Sequence, residues 1–385
     1  MTSTPPSRTV PTLDQARWSI SSIFLLNGAG IGLWAAHVPV VQARLGIDTA
    51  TLSMVLLTIA GGALLAMPLM GGFTARWGTR RMTLVSGSAF AAMLGILMGL
   101  DDLTLLFVAA FLFGISNGAL DVAMNANASE VETARGIPTM SSFHGFFSLG
   151  GLLGAALGGV VIGQGWGDGQ GALAAAIASA AVLALAAPRV MAFAPHEAGS
   201  HFALPRGAAL SLGLLALLCF AVEGALVDWS ALLMRERTGA EPATAALAYS
   251  AFSIAMAACR FAGDRLILRF GAMRIMVLGG LAMFAGLATA VLSTHFVLSA
   301  CGFALIGIGA ANVVPLLFGA ASRIPGMGAG AGVAAVATLG YGGLLMAPPV
   351  LGYIASHSSV TVALGVLSLS GLVIAMSAGI ITRQA

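Results

Sequence analysis

Read in windows of about 20 residues, the helix length that crosses a bilayer, the sequence resolves into about twelve apolar stretches. They lie near residues 18–41, 51–74, 82–100, 103–127, 139–163, 170–188, 207–231, 243–262, 273–293, 296–320, 329–354 and 360–381. No other feature restricts the fold as strongly. In lipid the backbone groups must be satisfied within the chain, and runs this long do so as helices. Charged residues make up 8% of the chain, against about 25% in soluble domains, so the protein is expected to be integral to a membrane. Short connections make consecutive helices antiparallel. The longest break, 189–206 (RVMAFAPHEAGSHFALPR), is polar and central. It reads as a cytoplasmic linker between two six-helix bundles, 18–188 and 207–382. Residues 1–17 are polar and read as a short cytoplasmic tail, with no cleavable signal peptide expected. Cys219, Cys259 and Cys301 fall inside apolar spans, share no metal spacing, and read as small hydrophobes.

Orientation follows from arginine, which supplies all 17 basic residues. With the amino terminus inside, the inner segments hold Arg8, Arg17, Arg76, Arg80, Arg81, Arg135, Arg189, Arg206, Arg265, Arg269, Arg274, Arg323 and Arg383. The outer loops hold Arg44, Arg235 and Arg237. The bias places both termini in the cytoplasm. The halves also repeat. Arg76-Trp77-Gly78 recurs 193 positions on as Arg269-Phe270-Gly271. The same offset carries Gly114-Ile115 onto Gly307-Ile308 and Ala128-Ser129 onto Ala321-Ser322. Gly150-Gly151-Leu152-Leu153 recurs at 192 as Gly342-Gly343-Leu344-Leu345. Parallel six-helix repeats point to a two-halved transporter with its site at the midplane between the halves.

The stretch Gly71-Gly72-Phe73-Thr74-Ala75-Arg76-Trp77-Gly78-Thr79-Arg80-Arg81 resembles the signature of the major facilitator superfamily between helices 2 and 3. Gly71, Arg76, Gly78 and Arg80 fit it; Ala75 replaces the usual Asp and Thr79 the usual Arg. Gly263-Asp264-Arg265 and Arg269-Phe270-Gly271 stand in the second half. The run Asn117-Gly118 to Asp121-Val122 to Asn125 is similar to the fucose-permease-like branch, some of whose relatives handle sugars or inositol-derived solutes. The resemblance implies an all-α integral membrane fold of about twelve transmembrane helices in two six-helix pseudo-symmetric bundles. It also implies a monomer. Helix 5 carries Gly150, Gly154, Gly158 and Gly159, the glycine frame of the superfamily's drug exporters without their proline. Small residues in such a frame also serve close helix packing.

The resemblance implies that helices 1, 4, 7 and 10 line the cavity. Independently, those spans hold most of the intramembrane polar groups, which are costly in lipid and usually functional. Asp121, Glu223 and His144 are the candidates for proton coupling, since an acid exposed alternately to two compartments can load on one side and release on the other. Structural pairing of Asp121 with an arginine is the competing reading. Asn27, Asn117, Asn125 and Asn312, with Trp34, Trp229 and Asp228, are the substrate-binding candidates, because amides bond hydroxyls and aromatic faces stack on sugar rings. Each amide also suits a plain interhelical hydrogen bond. No arginine is placed at the midplane, Arg260 being read as pairing with Asp264 one turn on, which disfavours a strongly anionic solute. Arg76, Arg80 and Arg81 facing Glu130 and Glu132, with Asp264, Arg265 and Arg269 in the second half, suit a cytoplasmic gate. Pro315, Pro348 and Pro349 can free backbone carbonyls near the cavity, and equally suit simple packing kinks.

The sequence therefore predicts a secondary active transporter of a small polar solute, neutral or cationic and sugar- or polyol-like, coupled to protons. A proton-driven exporter of drugs or metabolites is the alternative. The expected partners are that solute, protons and the bilayer, with no nucleic acid, cofactor or metal. There is no HExxH, no GxSxG context and no nucleotide loop to argue for an enzyme.

Overall fold

The protein is described here by a computed structural model covering residues 11–165, 169–193, 205–245 and 247–384. Expectations for Arg8, for residues 1–10 of the tail and for 194–204 of the linker lie outside the described residues. The first bundle holds α1 (Leu13–Leu45), α2 (Thr49–Trp77), α3 (Thr79–Gly99), α4 (Leu103–Arg135), α5 (Met140–Gly163) and α6 (Gly169–Ala186). The second holds α7 (Ala208–Thr238), α8 (Leu247–Phe270), α9 (Ala272–Leu292), α10 (Phe296–Ala310, resuming at Val313–Ala321), α11 (Ala329–His357) and α12 (Val360–Met376). Ten of these are long and apolar enough to cross a membrane, and α12 is a shorter apolar helix. The remaining one, α8, carries Arg260, Asp264, Arg265 and Arg269. Both α1 and α4 outrun the apolar stretches that announce them. Hydropathy marks the lipid-embedded part of a helix, while its hydrogen bonds continue into water.

Helix starts follow local chemistry. Thr12 and Gln15 form a capping box on α1, and Asp48 and Asp102 accept from Thr51 N and Leu105 N at 2.8 Å on α2 and α4. At Asp48 the hydrogen bonds from Thr51 outweigh a small desolvation and hold its carboxyl below the ordinary value.

The internal repeat is geometric as well as textual. A Cβ on Gly114 of α4 would stand 2.0 Å from the Ile59 carbonyl of α2, and one on Gly307 of α10 would stand 2.2 Å from the Phe252 carbonyl of α8. Both partners are displaced by the same 193 positions. The turns repeat too. Gly78 has φ 79° and Gly271 φ 82°, a region that disfavours any side chain, and each joins two antiparallel helices.

Helix α10 breaks at Ala311–Asn312. Pro315 has no N–H for the carbonyl four residues back, which belongs to Ala311. That carbonyl is taken instead by a buried arginine from α8.

Within the bundles α1 packs on α5 and α7 on α11. Between them α2 meets α11, α5 meets α8, and α4 and α5 meet the second segment of α10. The end of the molecule where the two halves' arginines gather is called the arginine-rich end below.

Candidate functional site: a polar cluster between the halves

The cluster starts from the charge that is hardest to bury. Arg260, in the middle of α8, is 5% exposed. Its Nε donates to the Ala311 carbonyl at 3.3 Å, and Nη1 donates to Ser148 Oγ of α5, in the other half, at 2.7 Å. Nη2 lies 3.7 Å from Glu223 Oε2 of α7. A buried guanidinium needs such compensation, because desolvating an unpaired ion costs several kcal/mol. Glu223 Oε1 faces the Cys219 thiol at 3.6 Å.

On the other side of the interface, Asn125 Nδ2 donates to the Asp121 carbonyl at 2.8 Å and to Asp121 Oδ1 at 3.3 Å. The Asn125 oxygen is then left to accept, and His144 Nε2 of α5 stands 3.1 Å from it, so that nitrogen carries the imidazole proton. Phe24 and Phe318 close on the imidazole edge-on. Asp121 Oδ2 is buried. Tyr341 of α11 interacts with Asp121 from the opposite half and lies within electrostatic range of Glu223. His144 is within electrostatic range of Arg260. The groups therefore form one polar system across the interface. One turn along α4 from Asp121, Asn117 accepts from Asn27 Nδ2 of α1 at 2.9 Å.

A second set of contacts closes the arginine-rich end. Glu132 of α4 accepts from Thr139 N at 2.7 Å and Met140 N at 2.8 Å, and Asp264 of α8 accepts from Ser142 N at 3.2 Å. The free amides that begin α5 are thus held by two carboxylates, one from each half, as the positive end of a helix favours. Glu132 also pairs with Arg323 at 3.6 Å. Ser129 hydrogen-bonds Ser322 across the interface. These two serines are repeat equivalents, so the pseudo-two-fold axis passes between them.

The structure redistributes the sequence-predicted residues. Asp121, Asn125 and His144 come together, as do Asn27 and Asn117. Asn312 sits at the break in α10, where Nδ2 reaches Cys259 Sγ at 3.6 Å and Oδ1 abuts Gly263 of α8. Trp34 is buried against Phe113 inside the first bundle. Trp229 packs beside Gly352 of α11, and Asp228 is exposed.

Arg260 is a correction: it pairs with Glu223 and not with Asp264, and a cation does stand at mid-depth. The gate pairing is a second correction. Among the described residues no ion pair joins Arg76, Arg80 or Arg81 to Glu130 or Glu132. Arg80 donates to the Val190 and Ala187 carbonyls beyond the end of α6, where the helix dipole is negative. Arg81 lies over Trp77 and Arg269 over Phe270, Arg76 and Arg265 are exposed, and Glu130 accepts from Thr79. Ser148, Tyr341, Arg323 and the serine pair join the set. Only the repeat of Ser129 onto Ser322 signalled any of them in the sequence.

Two six-helix bundles with a polar cluster between them at mid-depth are the architecture of a membrane transporter. The Major Facilitator Superfamily model matches residues 20–348, and the chain belongs to that family. An uncharacterized MFS-type transporter of Yersinia pestis is 37% identical over 363 residues, 94% of each chain. An uncharacterized transporter of Sinorhizobium fredii is 32% identical over 367 residues, 94% of this chain and 97% of that one. The crystal structure of the E. coli fucose:proton symporter FucP is similar with a TM-score of 0.79 over 96% of this chain and 98% of that one, at 13% identity, a likeness of fold.

Proposed function

We propose that the protein moves a small polar solute, neutral or cationic and of sugar- or polyol-like character, across the inner membrane. It does so by rocking-type alternating access, with protons as the coupling ion and both termini in the cytoplasm. The observation that carries this reading is Asp121, a buried carboxylate that no cation pairs with among the described residues and that Tyr341 meets from the other half, beside the interface that must open and close. An acid placed so meets the physical requirement for a proton carrier: it is exchanged between compartments by the movement that exposes it. Arg260 is engaged by Glu223, Ser148 and Ala311, which leaves Asp121 as the cluster's acid without a paired cation and favours a neutral or cationic solute. The Asn27–Asn117 pair keeps one amide oxygen and one amide nitrogen for hydroxyl groups.

The fold likeness to a fucose:proton symporter agrees with this reading. The exporter alternative gains nothing from the α5 glycine frame, since Gly150 and Gly154 serve packing against α1.

The test is transport by the purified protein in liposomes, with a pH gradient and a panel of sugars, polyols, amines and drugs. A solute that moves with protons, uphill when the gradient is imposed, is the expected result. If every transported solute equilibrates at the same rate with and without the gradient, protons are not coupled.

A further inference from the structure

Arg260 touches three elements at once. Its Nη2 faces Glu223 of α7, its Nη1 holds Ser148 of α5 in the other half, and its Nε holds the Ala311 carbonyl at the break of α10. A guanidinium is planar and rigid, so an acceptor that orients one nitrogen orients the rest. We infer that Arg260 is a positioning residue that transmits the charge state of Glu223 to the contact between the halves. With Glu223 ionised, the guanidinium is fixed between α7 and the broken α10 and its Nη1 is aimed at Ser148. With Glu223 neutral, the ion pair is gone, the Ala311 carbonyl alone fixes the guanidinium within its own half, and the cross-half bond weakens. The arginine-rich end then opens more readily. No covalent step is involved; one proton is taken up by Glu223 and given back.

This inference rests on the reading of Glu223 as a proton-bearing group, but its test needs neither solute nor flux. Other groups face the pair. Cys219 lies on α7 and Cys259 on α8, Tyr341 of α11 is within electrostatic range of Glu223, and His144 of α5 is within range of Arg260. Asp121 of α4 also faces Tyr341. The experiment must therefore assign any pH dependence to Glu223 itself.

Ser129, 1% exposed at the closed end, supplies the probe. In a background with Cys259→Ala and Cys301→Ala, and with the buried Cys219 retained, the maleimide labelling rate of Ser129→Cys reports opening in the purified protein. Glu223→Gln, Arg260→Gln and Ser148→Ala are each expected to raise the rate, by about tenfold for loss of a charge-assisted hydrogen bond. Arg260→Lys is expected to fall between, since an ammonium does not hold three fixed directions. In the parent, the rate corrected for thiol ionisation rises as pH falls, and Glu223→Gln removes that rise. Glu223→Gln labelling at the parent rate overturns the inference, as does a pH rise that survives in Glu223→Gln. Thermal unfolding of each variant separates opening from loss of fold. Failure of the liposome transport test would leave these outcomes readable.

Discussion

Arg260→Ala is expected to cost the protein most of its stability and all of its net transport, and Arg260→Ala combined with Glu223→Ala is expected to recover the first and not the second. The single variant leaves Glu223 at mid-depth without its cation, next to a thiol and the Tyr341 phenol. Breaking a buried pair by removing one partner costs about 3–5 kcal/mol, whereas removing both is often nearly neutral. The Ala311 carbonyl, already deprived of a helical donor by Pro315, also loses Arg260 Nε. Thermal unfolding of both single variants and the double in one detergent checks the sign. The coupling is expected to favour the double variant by more than about 1 kcal/mol. Additive losses would mean that the 3.7 Å pair is electrostatically idle.

Gly154→Leu has the second large effect, and its neighbour supplies the control. A Cβ on Gly154 would stand 2.0 Å from the Ala29 carbonyl of α1, and one on Gly150 would stand 2.1 Å from the Leu25 carbonyl. These contacts are with backbone, so no rotamer change relieves them. The cost exceeds the ~1–3 kcal/mol of ordinary overpacking, because α1 and α5 must separate along their length. Gly159 belongs to the same glycine frame but has nothing within 4 Å of its Cβ direction. Gly159→Leu is expected to express and elute like the parent in size-exclusion chromatography, and Gly154→Leu to aggregate or disappear. Equal behaviour of the two would remove close α1–α5 packing from the account. The packing recurs in the second bundle, where a Cβ on Gly343 of α11 would stand 2.1 Å from the Leu217 carbonyl of α7.

The fold was legible because its main determinants are local and repeated. Apolar length marks a span wherever it falls, and the 193-residue offset of Gly114 and Gly307 encodes a packing register that each half must satisfy. Pro315 also announced a freed carbonyl. The partner of that carbonyl was not legible, since Arg260 comes from another helix and reaches Glu223, not the acid one turn away on its own helix. The same holds at the gate. Arg76, Arg80 and Arg81 suggested pairing with Glu130 and Glu132 because both groups lie at the cytoplasmic ends of their helices. The structure gives Arg80 to the carbonyls after α6, and Glu132 to the α5 amides and Arg323. Helix periodicity states which residues share a face; it does not state which helix that face meets. Trp34 shows the same limit, a cavity candidate by its helix and a core residue by its contact with Phe113.

The measurement closest to the central claim compares the parent protein with Asp121→Asn in liposomes, recording solute-driven proton movement and solute exchange together. Asp121→Asn is expected to abolish proton movement and uphill accumulation while exchange of solute across the membrane persists. Proton movement at the parent rate in Asp121→Asn would contradict it, and would return Asp121 to a structural role beside Asn125 and His144.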